Sequence, residues 1–342
     1  YIISCHSLFV NTFFQVFSSF LFFLVFPLFY SLFMPFPALS CAIENFPLLL
    51  YNILNRNIFE RRILMLCDLH IHSRHSDGTR TPQQIAQFCL QQNIRLFSIT
   101  DHNLLSAYPE ALDAAKQYGL TCITGVEVDC ILNSRCYHVL GYGVDTCNQP
   151  LLALLRSARQ VLDEMSDRLI AAIELSPPQI GEAVSMQDYL AYRNDSSRGG
   201  WKGLNYLIDR KLAHDFDSAM ALYSRYRITY EKSAFPSMEE TCRAIVAAGG
   251  TPILAHPSNY FPFDDKLEEN LLRTVHAGVQ GIECYYPAHS EEYRRRCVAF
   301  CKEHQLFITC GGDSHGEFQK EIDGIRYEIG AASVDSSKLY LR

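Results

Sequence analysis

Thirteen cysteines are spread over 342 residues without a single C-x-x-C pair. Nothing therefore points to a disulfide framework. Cys297 and Cys301, four apart on a predicted helix, read as packing residues, and the thiols read as reduced ones in a cytosol. Basic charge is short as well: 30 Lys and Arg stand against 37 Asp and Glu, for a net charge of −7. Long duplex nucleic acid favours basic faces and is disfavoured as a partner, whereas a small phosphorylated substrate fits. No internal repeat is visible, and tryptophan occurs once, at Trp201.

Charge is scarcest in residues 1–64, which carry Glu44, Arg56, Glu60, Arg61 and Arg62 alone while holding 13 of the 22 Phe. Two readings compete. The charge-free run Phe20–Tyr30, within an apolar stretch over 8–36, suits a membrane anchor with Arg56, Arg61 and Arg62 on the cytoplasmic side. Against it, the chain begins with Tyr, and Glu60-Arg61-Arg62-Ile63-Leu64-Met65 can be back-translated as GAA AGG AGG ATA CTT ATG, a bacterial ribosome-binding sequence before a start codon. The expectation is that residues 1–64 are translated upstream DNA, that the protein starts at Met65 in the cytoplasm, and that membrane contact follows only if residues 1–64 are native. From Met65 the charge is 27 basic against 35 acidic residues.

What the chain does have is nine good metal-binding side chains, each where an apolar strand pattern ends. Leu64–Leu69 runs into His70-Ile71-His72, and alternation along a strand puts both imidazoles on one face. Asp77 follows in Ser76-Asp77-Gly78, a tight-loop signal. Ile94–Thr100 delivers Asp101-His102, Thr121–Gly125 delivers Glu127, and Tyr137–Gly141 contains His138. Thr251–Ala255 ends at His256, and Leu306–Cys310 runs into Asp313-Ser314-His315. One His after a strand is commonly a surface or capping residue, and one Asp-Gly is commonly a turn. Nine of them at strand C-terminal ends, where alternating β/α folds build their sites, point instead to several metal ions in one site. His6, His214, His276 and His304 lack that context and read as ordinary, with His75 and His289 intermediate.

Asp68-Leu69-His70-Ile71-His72-Ser73, Ser76-Asp77-Gly78, Thr100-Asp101-His102-Asn103, Gly125-Val126-Glu127, His138-Val139-Leu140-Gly141, Ala255-His256-Pro257 and Gly312-Asp313-Ser314-His315 together resemble the Polymerase and Histidinol Phosphatase (PHP) superfamily of metal-dependent phosphoesterases, over residues 65 to about 316. The Ser-Asp-Gly-Thr and Thr-Asp-His-Asn variants are most similar to the branch of nucleoside 3′,5′-bisphosphate phosphatases that also trim short RNA from the 5′ end. The histidinol phosphatase branch usually has His where Asp77 stands. The resemblance implies an α/β fold, a distorted (β/α)7 barrel with a helical insertion, and a trinuclear cluster. The first metal would take His70, His72, Glu127 and Asp313; the second would share Glu127 and add His138 and His256; the third would take Asp77, His102 and His315.

Imidazole and carboxylate donors suit Mn, Zn or Fe. A bridging Glu127 would hold two divalent ions close together and lower the pKa of a shared water toward ~7, and the resulting hydroxide would attack phosphorus, with Asp313 beside it. Asp101 and Ser314, next to ligands, are candidates to orient imidazoles from outside the ligand set, Asp101 equally a helix N-cap. Glu283 reads as structural or orienting. His289 is a candidate leaving-group acid.

Substrate contacts must come from elsewhere. Ser197–Gly203 offers Arg198 to grip phosphate, Lys202 as a point charge and Trp201 to stack on a base, with a solvated loop and a core Trp as the plainer alternative. Arg135, at the tip of a Val128–Leu140 hairpin, is a weaker phosphate candidate, and Tyr285 and Tyr286 follow a strand end and are expected to line the pocket.

Along the chain, strand and helix alternate over 65–149 and 239–316, the expected barrel, with Thr81-Pro82 opening a helix. Residues 150–238 carry helical periodicity and no strand pattern, as expected of a lid-like insertion. The tail, 317–342, is irregular and is expected to cover an edge of the barrel. Three other readings stay open: a histidinol-phosphate-type phosphatase, a non-catalytic metal-binding regulatory PHP module, and an amidohydrolase, which would normally bring a bridging Lys that no strand end here supplies.

Overall fold

The computed structural model describes residues 65–177 and 184–340, which belong to one unit spanning Leu64–Arg342. The upstream segment expected to be either non-coding or a membrane anchor lies outside the described residues. Among the described residues no helix is long and apolar enough to cross a membrane.

The strands form one eight-stranded sheet in the order β10-β1-β2-β3-β4-β5-β6-β7. They are β1 (Leu66–Asp68), β2 (Ile94–Ile99), β3 (Thr121–Leu132), β4 (Arg135–Tyr142), β5 (Thr251–Leu254), β6 (Gly281–Tyr285), β7 (Phe307–Cys310) and β10 (Val334–Asp335). Pairing is parallel from β1 to β3 and from β5 to β7. The antiparallel hairpin β3–β4 and the antiparallel pair β4–β5 distort what would otherwise be a regular barrel.

Beyond the strand ends, backbone bonds close the ring: Leu69 N donates to Cys310 O at 3.1 Å and His72 N to Ser314 O at 2.9 Å. At the other end of that seam the tail fills the gap. Cys67 faces Val334 and Leu66 faces Asp335, and Tyr340 bridges to Ile308. The segment expected to cover an edge thus pairs into the seam itself, and a short hairpin before it, β8 (Glu321–Ile322) and β9 (Ile325–Arg326), leaves the barrel altogether.

The barrel helices pack outside the strands: α1 (Pro82–Gln91), α2 (Tyr108–Tyr118), α7 (Met238–Ala247), α8 (Leu267–His276) and α9 (Glu291–Glu303). Their starts are legible, with capping boxes at Thr81/Gln84 and Ser237/Glu240 satisfying the first free N–H groups. Between β4 and α7 come α3 (Gln149–Glu174), α4 (Met186–Ala191), α5 (Lys202–Asp209) and α6 (Phe216–Arg225). The chain turns between α5 and α6, with Lys211 at positive φ and Asp215 capping α6. These helices have a core of their own, in which Leu169, Ile173, Leu204, Tyr206 and Leu207 are fully buried. At about 1.5–3 kcal/mol for each large apolar side chain removed from water, that core stabilises the insertion, and Ile131 of β3 and Phe318 of the tail pack against it.

Candidate metal centre

All nine candidate ligands meet in one place, seven at or beyond the C-terminal ends of parallel strands and Glu127 and His138 within the antiparallel hairpin β3–β4, and the local backbone explains why. Past β1, Ile71 bridges to Ser314, and past β2, His102 bridges to Glu127. The sheet continues there as single hydrogen bonds that pin the ligand-bearing residues without extending the strands. His256 and Asp313 hold φ of 27° and 50°, a region that L-residues adopt at a cost of about 1–3 kcal/mol and that concentrates at functional sites. The loop carrying Asp77 is fastened by Asp101, whose carboxylate accepts from Ser73 N at 2.7 Å, Ser73 Oγ at 2.6 Å and Ser76 Oγ at 2.6 Å. Asp101 therefore neither orients an imidazole nor caps a helix. Ser314 contributes its backbone to His70 and His72 and accepts from Gly316 N through Oγ, so it orients no ring either.

Glu127 stands at the centre, 1% exposed. Its Oε2 lies 3.2 Å from His70 Nε2, 3.1 Å from His72 Nε2 and 3.4 Å from His102 Nε2. Its Oε1 lies 2.9 Å from His138 Nδ1 and 3.0 Å from His256 Nε2. Asp313 Oδ1 approaches His70 at 3.4 Å and His72 at 3.2 Å, and Asp77 Oδ2 approaches His315 at 3.3 Å and His102 at 3.9 Å.

Among the described residues four groups have donor atoms mutually within 4.8 Å: His70, His72, Glu127 and Asp313; His72, Asp77, His102 and His315; His102, Glu127 and His138; and Asp129, Cys136 and His138. Although buried, His70 Nε2, both ring nitrogens of His72, His102 Nδ1 and His256 Nδ1 make no hydrogen bond. Buried polar atoms are ordinarily satisfied, so ring nitrogens left without a hydrogen bond this close to carboxylates fit divalent cations held between them.

The electrostatics agree. Burial disfavours the charged form of His70, yet Glu283, Asp313 and Glu127 outweigh it and raise its pKa well above the usual value. Burial likewise pushes Glu127 up, but His70, His102 and His138 hold it well below the carboxylate range. The pocket is built around positive charge, which bound cations would supply.

Two carboxylates outside the nine hold the rings. Glu283 is fully buried; its Oε1 is 3.0 Å from His70 Nδ1 and its Oε2 accepts from His256 N at 2.7 Å. Asp129 is the residue that sequence reasoning missed. It lies opposite His138 in the hairpin register, 3.2 Å from His138 Nε2 and 3.6 Å from His102 Nδ1, and Asn103 donates to it. The i, i+2 alternation Glu127–Asp129 along β3 was the available signal.

Above this floor opens a cavity of about 570 Å³. The insertion contributes Arg159, Leu162, Asp163, Trp201, Phe216 and Met220 to its wall, and the β8–β9 hairpin adds Ile322, Asp323, Ile325 and Tyr327. Several expected substrate contacts are elsewhere. Arg198 pairs with Asp209 at 3.0 Å and Tyr192, and Lys202 reaches the Leu190 carbonyl at 3.4 Å and the Tyr189 ring. Arg135 lies over the rings of Tyr137 and Tyr260. None of the three lines the cavity.

Trp201 does line it, with its indole N–H donating to Tyr223 Oη at 3.1 Å, and so does Tyr286, which donates to Asp313 Oδ2 at 3.1 Å. Tyr285 is not on the wall; Arg294 covers its ring. His289 is also off the wall, 8% exposed, its Nδ1 against the Cys284 carbonyl at 2.9 Å. Burial pushes its pKa down to about 4, so the ring is neutral at pH 7 and is no leaving-group acid.

The sequence profile of the PHP domain matches residues 68–171. Those residues carry a PHP domain. Among its relatives, a Chromobacterium violaceum 3′,5′-nucleoside bisphosphate phosphatase is 28% identical over 259 residues, 75% of this chain and 90% of that protein. A Haemophilus influenzae 5′-3′ exoribonuclease is 25% identical over 72% of this chain and 89% of its own length. An Eggerthella lenta phosphoribosyl 1,2-cyclic phosphate 1,2-diphosphodiesterase is 26% identical over 74% and 95%. In fold, the PHP chain matches a Bifidobacterium adolescentis protein described as a metal-dependent phosphoesterase, at a TM-score of 0.63 and 21% identity over 80% of this chain and 93% of that one. A Chromobacterium violaceum protein described as an amidohydrolase, with sulfate bound, matches at 0.60 and 24% over 80% and 97%.

Proposed function

We propose that this PHP protein hydrolyses a small phosphomonoester, the 3′-phosphate of a nucleoside 3′,5′-bisphosphate, with divalent cations held by His70, His72, Asp77, His102, Glu127, His138, His256, Asp313 and His315. The observation that carries this reading is the single carboxylate of Glu127 within 3.4 Å of five imidazoles, at the bottom of a cavity whose upper wall is largely apolar. Cations bound there supply charge neutralisation for phosphoryl oxygens and acidify water at neutral pH.

The chain's own part is positional. Glu283 and Asp129 fix the rings of His70 and His138, so these donor atoms are in place before substrate arrives. The Tyr286 hydroxyl, bonded to Asp313, directs that carboxylate's Oδ2 while Oδ1 faces His70 and His72. The Trp201 and Phe216 side of the cavity offers faces to a base, and it excludes water from above the floor.

The cavity's size supports a compact substrate over a long polymer, since small-molecule sites commonly span about 300–1,000 Å³. Trimming of short RNA from the 5′ end is the second reading, favoured by the exoribonucleases among the relatives. Release of inorganic phosphate by Mn²⁺-loaded protein from a panel of nucleoside bisphosphates, other phosphomonoesters and short 5′-phosphorylated RNAs tests it. Fastest turnover on a bisphosphate is expected. Hydrolysis of an amide or lactone, with every phosphoester untouched, would overturn it.

A further inference from the structure

Resting on the phosphomonoesterase reading above, we propose that Arg159 on α3 is the subsite for the second, non-reacting phosphate of the substrate. Of the described residues lining the cavity, Arg159 is the one Lys or Arg, while Asp77, Glu127, Asp129 and Asp313 line its floor. A substrate with two phosphates can place one on cations at that floor. The other would then meet apolar side chains or the carboxylates of Asp163 and Asp323, an expensive arrangement for a dianion unless a cation stands among them.

Arg159 is suited to that task. It shares one face of α3 with Leu162 and Asp163, at i, i+3 and i+4, and all three line the cavity. Its ion pair with Asp163 runs from Nε to Oδ1 at 3.7 Å, between side chains 33% and 65% exposed. A pair that long and that exposed binds the guanidinium weakly. It also engages the inner nitrogen, leaving the two terminal nitrogens as a planar fork of the kind that grips phosphate bidentately. Trp201 and Phe216, set edge to face at 6.0 Å, line the same cavity and offer ring faces to the base carried by the ribose that links the two phosphates. The Arg and Lys flanking Gly199 and Gly200 cannot compete for this role, because Asp209 and the Leu190 carbonyl engage them away from the cavity.

The test compares two substrates of the Mn²⁺-loaded full chain: a nucleoside 3′,5′-bisphosphate and the same nucleoside 3′-phosphate, which lacks the second group. Arg159→Ala should lower kcat/KM for the bisphosphate roughly 10- to 100-fold, mostly through KM, and leave the 3′-phosphate unchanged. Arg159→Lys should fall between, and Asp163→Asn, which removes the competing carboxylate, should lower KM for the bisphosphate. Binding of the product, a nucleoside 5′-phosphate, should weaken in Arg159→Ala while binding of the free nucleoside does not. If Arg159→Ala changes both substrates alike, or neither, the assignment is overturned while the phosphatase reading stands. If wild-type protein turns over neither substrate, the phosphatase reading fails and takes the assignment with it.

Discussion

The backbone amide of Gly200 donates a hydrogen bond to the carbonyl oxygen of Asp77 at 2.7 Å. That bond ties the helical insertion to the loop presenting a candidate ligand. A Cβ at Gly199 would lie 2.5 Å from Phe318 Cβ and 2.9 Å from the Asp77 carbonyl, and φ there is 72°. Insertion, ligand loop and tail are thus packed backbone against backbone. Gly199→Ala should cost about 1–3 kcal/mol through strain and contact, and should loosen the group around Asp77. Thermal melts with and without Mn²⁺ check this: the melting temperature should fall, and the stabilisation by Mn²⁺ should shrink with it. An unchanged melt would show that the three segments move independently.

Because both oxygens of Glu127 serve different groups of imidazoles, its loss should empty more than one cation position. Metal analysis of purified Glu127→Ala should show a drop of two or more ions per chain relative to wild type, and Asp313→Ala a smaller drop. A Glu127→Ala protein that keeps its full metal complement and its activity would mean that the carboxylate is not shared.

Asp129 and Glu283 hold rings without belonging to the nine. Asp129→Asn and Glu283→Gln should each weaken metal binding by about 10- to 100-fold, with the fold intact by circular dichroism. Titration of chelator-stripped protein with Mn²⁺ measures it, and supplying excess Mn²⁺ should restore much of the lost activity. An affinity equal to wild type in both variants would leave those carboxylates with a packing role alone.

The β8–β9 hairpin should affect substrates according to their size. Ile325→Ser makes the wall above the floor polar, so KM for a nucleotide should rise several-fold while that for a small alkyl phosphate holds. Equal changes for both substrates would place the effect on the floor instead of the wall.

Thiol chemistry offers an independent check on burial. Cys147 is exposed, whereas burial pushes Cys67 and Cys122 up to about 12. The thiolate is the nucleophile, so at pH 8 those two stay protonated and react slowly. Peptide mapping after brief alkylation should find Cys147 modified first among Cys67, Cys122 and Cys147, and raising the pH should narrow the gap.

Most of the nine candidate ligands were visible because they follow an apolar run, while His138 lies within one and Asp77 in the loop after another; strand periodicity is the strongest local signal a sequence carries. Asp129 was equally local, two residues from Glu127 on the same face, but it was hidden inside a run read as a hairpin. The substrate wall was harder. Gly-flanked Arg198 looked like a phosphate loop, yet Gly199 and Gly200 are small so that the loop can cross Phe318 and reach the Asp77 carbonyl. Arg159 lies mid-helix with nothing in its neighbours to set it apart, and only the fold of the insertion brings it to the cavity wall. The tail's two roles, wall and seam, depend on pairings some 270 residues apart, such as Met65 N with Asp335 Oδ2, which no local pattern encodes.

Those pairings have a consequence for synthesis on the ribosome. Strand β1 is made well before its partner on one side, Val334–Asp335, and Ser336 N closes back on Met65 O at 2.9 Å only after both exist. Until residues 334–336 leave the exit tunnel, the strand leading into His70 and His72 keeps an open edge, and open edges recruit wrong partners. Residues 334–336 therefore work as a latch. A nascent chain stalled before Val334 would expose the metal-binding strand to misassembly, and quality control would act on it before it could act as an enzyme.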